Sequence, residues 1–182
     1  LNTAIAITGL SRRTLWRRIS EGRISALGTH GPGEETRLNL DDVLPLCSLP
    51  AIPEKREIII KADQGDAIAQ SDLAILLLMA GRPADAIPWF TLSAKQFYPD
   101  AMRFLGRLYL SGEDTERDVD MGVMWLNHAA IKGHPIAQAF TVFLQSPKGQ
   151  SLLQDQVALD TALDDIERKL ILETMAETAD PE

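Results

Sequence analysis

Three residue triplets share one internal spacing: Ala62, Gly65 and Ala69; Ala94, Phe97 and Ala101; Ala130, Gly133 and Ala137, set 32 and then 36 residues apart. A period of this length carrying two helical segments is the mark of stacked helical repeats, in which each unit buries its apolar face against the next. Between the triplets, "IPWFTLSA" (87–94) aligns with "VMWLNHAA" (123–130), so Trp89 and Trp125 are equivalent. The small residues allow antiparallel helices to approach closely while Trp, Leu and Phe fill the space beside them. The four extra residues of the later repeat fall in "SGEDTERDVD" (111–120), a polar loop where insertion costs little. Beyond residue 55, apolar residues recur at helical spacing and alternating β-branched runs are absent, so this part is expected to be all helical.

These residues resemble Sel-one-like repeats, a subclass of the tetratricopeptide superfamily, across about residues 57–140. The matching pieces are "GDAIAQSDLAILLLMAG", "DAMRFLGRLYLSG" and "MGVMWLNHAAIKGHPIAQ". Phe97 stands where the family usually has glycine, and Gly81-Arg82-Pro83 is shorter than the family's loop. The resemblance implies an α/α solenoid that scaffolds protein complexes, with a protein partner on its surface.

Organisation follows from the prolines. Pro50 and Pro53 in "LPAIPEK" interrupt any helix, giving expected divisions of 1–49, a linker over 50–56, repeats over 57–146, and a terminal helix and tail over 147–182. In the last segment Leu152, Leu159, Leu163, Ile166 and Leu170 form a stripe at helical spacing. Such a stripe serves either to cap the last repeat or to pair with a second copy as a homodimer.

The segment before the linker differs in charge. Residues 1–49 hold six Arg against five acids, and the net charge of the whole chain is −8. Five of those arginines lie in "GLSRRTLWRRISEGRIS" (9–25). Thr3 is expected to cap a short helix through Thr8, Gly9 to supply a left-handed turn, and Ser11 to cap a second helix ending near Glu21 and Gly22. At 100° per residue Arg12, Trp16, Ser20, Arg13 and Arg17 fall within one arc of about 140°, away from the Leu15 and Ile19 stripe, with Arg18 off to the side. Arginines on an exposed helix suit both bidentate contact to guanine edges and phosphate neutralisation. Ile24 and Ala26 then alternate with Arg23 and Ser25. The chain turns through Gly28 to Gly33 and resumes with Leu38 and Leu40, before Asp41 or Asp42 caps another helix.

Residues 3–46 thereby resemble the winged helix-turn-helix of the excisionase and MerR-type DNA-binding families, on Gly9, Ser11, Arg12, Arg13, Trp16, Arg17 and Gly22. The resemblance implies a bacterial regulator or adaptor that docks on double-stranded DNA through Ser11, Arg12, Arg13, Trp16, Arg17, Arg18, Arg23 and Arg37. Glu34 and Glu35 in "GTHGPGEET" depart from a basic wing, and His30 lies at its tip. The alternative is a protein-interaction scaffold whose first segment no longer binds DNA. The fold class expected for the whole chain is mainly α, a small winged helix-turn-helix followed by about two Sel-one-like repeats with a C-terminal capping helix.

Catalytic chemistry is not expected. There is no glycine-rich phosphate loop, paired cysteine motif or His-x-x-x-His spacing, so neither an enzyme, a cofactor nor a metal site is anticipated. His128 and His134 stand six apart and read as surface or capping residues; Cys47 reads as a small buried residue. The carboxylates of "LDTALDDIERKLILE" (159–173), interleaved with Arg168 and Lys169, read as a solvated helix face. The longest apolar run, "AILLLMA" (74–80), is far short of the roughly 20 residues a membrane helix needs. The single cysteine and the absence of an apolar leader give cytoplasm as the expected setting, with no membrane partner.

Overall fold

A computed structural model describes residues 1–28, 36–112 and 115–179, which are mainly α-helical. Two compact units are formed, Leu1–Ala86 and Ile87–Glu182. The connector expected at 50–56 falls inside the first.

In the first unit, α1 (Asn2–Thr8) ends at Gly9, whose φ of 67° is the left-handed conformation glycine adopts without a Cβ penalty. Helix α2 (Arg12–Ser20) begins at Ser11, whose hydroxyl accepts from the Thr14 N–H at 3.1 Å. Strands β1 (Ala26–Leu27) and β2 (Arg37–Leu38) pair antiparallel, Ala26 opposite Leu38 and Leu27 opposite Arg37. The short helix α3 (Leu40–Val43) and a 3-10 turn (Leu44–Leu46) follow, then α4 (Lys55–Asp63) and α5 (Ala67–Met79).

Two expected caps are displaced. Thr3 lies within α1 and its hydroxyl donates to Asp63 on α4; Asn39, not Asp41 or Asp42, caps α3 by accepting from the Asp41 N–H at 3.0 Å. Asp42 is held instead by the Ser25 N–H at 2.7 Å, a bond to its ionised form that keeps the carboxyl below its ordinary value. Ile7 on α1, Leu15 on α2, Ile24 just before β1, Val43 on α3 and Ile59 on α4 are each buried in this unit. The Arg82 guanidinium donates to Ser48 at 3.0 Å and lies close enough to Gly9 that a Cβ there would meet it at 3.4 Å.

Helix α6 (Pro83–Lys95) leads into the second unit, where α7 (Pro99–Ser111), α8 (Val119–Ile131) and α9 (Pro135–Gln145) pack in succession. Gly106 on α7 and Gly122 on α8 set the closest approach: a Cβ on either would lie within 3.0 Å of the other's carbonyl oxygen and 2.6 Å from a leucine Cγ. The small repeat residues Ala94, Ala101 and Ala137 are likewise buried, and Phe90 stacks on Phe104 with centroids 4.9 Å apart.

The terminal segment is two helices, α10 (Pro147–Leu152) and α11 (Gln156–Ala179), so the expected single stripe is interrupted at 153–155. Ser146 and Pro147 start α10 as cap and first residue, which fixes a new helix axis after α9. Leu159 and Leu163 are fully buried, and α11 packs on α7, α9 and α10. That half of the stripe is a cover for the preceding helices. No helix among the described residues is long and apolar enough to cross a membrane.

Candidate functional site

Two surfaces bear chemistry. The first is α2. Arg12, Arg13, Trp16 and Arg17 are exposed on it while Leu15 is fully buried, so the outward arc expected from the 100° rotation is present. Arg18 is half-buried at the margin. Ser11 is spent on capping, since its hydroxyl accepts from the Thr14 N–H. Arg12 donates to Asn2 at 2.8 Å, whereas Arg13 has neither ion pair nor hydrogen bond among the described residues. Glu21 lies 3.9 Å from Arg17 and 3.2 Å from Arg23, contacts of exposed groups that solvent screens. Arg23 and Arg37 are exposed beside the strand pair. His30, Glu34 and Glu35 lie outside the described residues, as does the rest of 29–35.

The second is the turn between helices, which recurs once in the first unit and twice in the second. At the first triplet the Asp66 N–H donates to Lys61 O, at the second Tyr98 to Ser93 O, and at the third His134 to Ala129 O, one hydrogen-bond pattern three times. The residue before each donor has positive φ: 96° at Gly65, 65° at Phe97 and 88° at Gly133. Phe97 is the one non-glycine residue with positive φ among the described residues, and its ring is 65% exposed. A bulky side chain in that region is strained by about 1–2 kcal/mol. The ring carries the Lys132 ammonium 4.8 Å from its centroid.

The donor positions also cap the next helices. Asp66 accepts from the Ala69 N–H on α5 and His134 Nδ1 from the Ala137 N–H on α9, while Tyr98 gives α7 no side-chain cap. His134 is 8% exposed and its Nε2 lies 2.8 Å from Asp100 Oδ1, so the neutral ring donates to the carboxylate and accepts from the backbone. Burial pushes its pKa below the ordinary value and the charge of Arg103 adds to this; Asp100 opposes both. His128 is exposed and meets the edge of Trp125 at 5.9 Å. His128 and His134 thus have local structural partners, and no group of three His, Cys, Asp or Glu suited to a metal occurs among the described residues. Cys47 is half-buried.

One reading is corrected in part. Asp165 and Glu173 on α11 are solvated as expected, but Asp160 and Glu167 are mostly covered and Asp164, though exposed, is paired: Arg103 Nη1 donates to Glu167 at 2.9 Å, and Arg107 approaches Asp160 at 3.5 Å and Asp164 at 2.6 Å. The spacing of four residues on α7 matches four and three on α11, which locks the terminal helix across α7. Arg168 and Lys169 face solvent as expected. The signal was available as matched periods on two segments, but sequence does not say which segments meet.

The described part of the chain is therefore a mainly α protein with repeated helix-turn-helix hairpins and a clamped terminal helix. No protein-family model and no curated protein matches it. Among solved structures it is similar to a Sel1 repeat protein from Oxalobacter formigenes, with 24% identity over 65% of this chain and 98% of that one and a TM-score of 0.48.

Proposed function

We propose that the chain is a protein-interaction scaffold whose second unit engages a protein partner. The observation that supports it is the set of large apolar side chains left in solvent on the helices and turns of that unit: Leu92, Phe97, Ile131 and Val142 are 45, 65, 81 and 70% exposed. The core of this unit is made by other residues of the same helices, and large apolar side chains left in solvent are what a partner surface would cover. The expected Sel-one-like character of these helices agrees with a scaffold role. The test is quantitative cross-linking of the full chain to its partners, identified by mass spectrometry, with Ile131→Asp and Val142→Asp combined as the variant. Loss of stoichiometric partners with unchanged helical signal supports the reading; equal recovery from both proteins overturns it.

A second reading is that the first unit docks on duplex DNA through α2, favoured by the exposed, co-facial Arg12, Arg13, Trp16 and Arg17. Arg23 and Arg37 would add phosphate contacts from the strand pair, Arg18 one from the margin and Ser11 a backbone anchor at the helix start. About four phosphate contacts give a slope of log affinity on log salt of about −3.6, so raising salt from about 50 to 200 mM loses roughly 150-fold. Such a module binds weakly by itself, and a partner held on the second unit would supply the rest. Fluorescence anisotropy on mixed duplexes decides it: salt-dependent binding that disappears when Arg12, Arg13 and Arg17 are all alanine supports DNA docking, and equal, salt-insensitive signals for both proteins reject it.

A further inference from the structure

Phe97 departs from the other two turns in a way that the fold does not reward. Glycine at 65 and 133 takes the same hydrogen-bonded turn without strain, and the Phe97 ring is turned to solvent rather than into the core. Two exposed lysines stand around it. The Lys132 ammonium sits over the ring, Lys95 is exposed two residues earlier, and the neighbouring Ile131 is almost fully in solvent. Beside them is an open cavity of about 480 Å³ lined by the first turn of α7 and the first turn of α9, with Arg103, Lys132 and His134 among its walls. Asp100, half-exposed at the cavity, accepts from the neutral His134 ring and keeps its charge, so among the described residues the free cations of the site are the two lysines. Two helix N-termini add positive potential at the same place.

We infer that Phe97, Lys132 and the α7–α9 cavity form a docking site for an acidic, apolar-containing peptide segment of a partner protein. An apolar side chain of the segment lies on Phe97 and Ile131, its carboxylates meet Lys132 and Lys95, and its backbone follows the cavity. This rests on the interaction reading above and gives it a place and a partner chemistry. The complementarity is electrostatic as well as apolar, because a chain of net charge −8 presents cations at this aromatic residue. The Phe97 side chain is then retained for contact at the expense of backbone strain, so removing it improves the fold and harms the binding. A merely structural residue would behave in the opposite way.

The experiment titrates the full chain against a fluorescein-labelled decapeptide alternating glutamate with leucine and phenylalanine, beside versions carrying glutamine or lysine in place of glutamate. Expected results are saturable binding of the acidic peptide at least about tenfold tighter than the glutamine version, and none of the lysine version. Phe97→Gly weakens the acidic peptide at least about tenfold while raising Tm by about 2 °C, and Lys132→Glu weakens it similarly. Phe97→Tyr keeps the binding. Equal affinity of Phe97→Gly and wild type, no preference for the acidic peptide, or no saturation at about 1 mM peptide overturns the inference. A doubled solution mass abolished by Phe97→Gly assigns the patch to a second copy of this chain and equally overturns it. If cross-linked partners survive Phe97→Gly while the peptide does not bind, the inference fails and the interaction reading stands; if no partner cross-links to wild type, that reading itself fails.

Discussion

The arginines of α2 and those of α7 have the same chemistry and opposite fates. On α2, Arg12, Arg13 and Arg17 are exposed and touch at most an amide or a screened carboxylate. On α7, Arg103 and Arg107 keep only 11 and 17% of their side-chain surface and are bound to Glu167, Asp160 and Asp164, with Arg103 stacked 3.9 Å from the Phe104 ring. The difference teaches that charge spent inside a fold is a matter of architecture, whereas charge left outside is available for a ligand. An arginine removed from water needs its carboxylate, and truncating one member strands the other.

That contrast can be broken from its strongest side. Arg103→Ala leaves Glu167 half-enclosed and opens space beside Phe104, and should cost about 2–3 kcal/mol in urea unfolding, short of a fully buried pair because Glu167 retains a quarter of its surface. Arg103→Lys keeps the charge but loses the planar stack on Phe104, for an expected loss of about 1 kcal/mol. If the lysine variant is as damaged as the alanine one, stacking rather than charge fastens α11 to α7.

A pH series sharpens the same comparison, since Arg103 also acts on His134. The native pKa of His134 lies below that of the unfolded chain, so between the two values the unfolded state binds more protons. Stability is therefore full above about pH 6.5 and declines as pH falls below it, where protonation ends the acceptance by Nδ1 from the Ala137 N–H. Asp100, Arg103 and Lys132 are the charged groups at this cavity. His134→Asn retains a good cap and should flatten the fall of Tm between about pH 6.5 and 5. An unchanged slope would place the titration elsewhere.

The smallest effect on stability belongs to α2. Replacing Arg12, Arg13 and Arg17 together by alanine should change unfolding free energy by no more than about 0.5 kcal/mol per site, because they support no core contact. A larger loss would mean that these arginines, like those of α7, belong to the fold, and would weaken the DNA reading even before any duplex is added.

How much of this was legible varies along the chain. The turn at Gly9, the cap at Ser11 and the outward arc of α2 were readable because caps and helical rotation are local. So was the recurrence of Gly65, Phe97 and Gly133, although the positive φ of Phe97 needed coordinates. The caps by Thr3 and by Asp41 or Asp42 were misplaced because several polar residues near a helix start compete, and tertiary partners choose among them. Thr3 is drawn to Asp63 and Asp42 to Ser25, which leaves Asn39 to cap α3.

Sequence by itself determined the helical periods, the repeat spacing and the uneven placement of arginine, all properties of neighbours within one or two turns. Only the tertiary structure decided that Asp160, Asp164 and Glu167 answer Arg103 and Arg107, that α11 covers α7 and α9, and that Gly106 meets Gly122. The physical reason is that pairing between helices depends on which faces meet across tens of residues of intervening chain. A carboxylate at helical spacing reads the same whether its partner is water or a guanidinium.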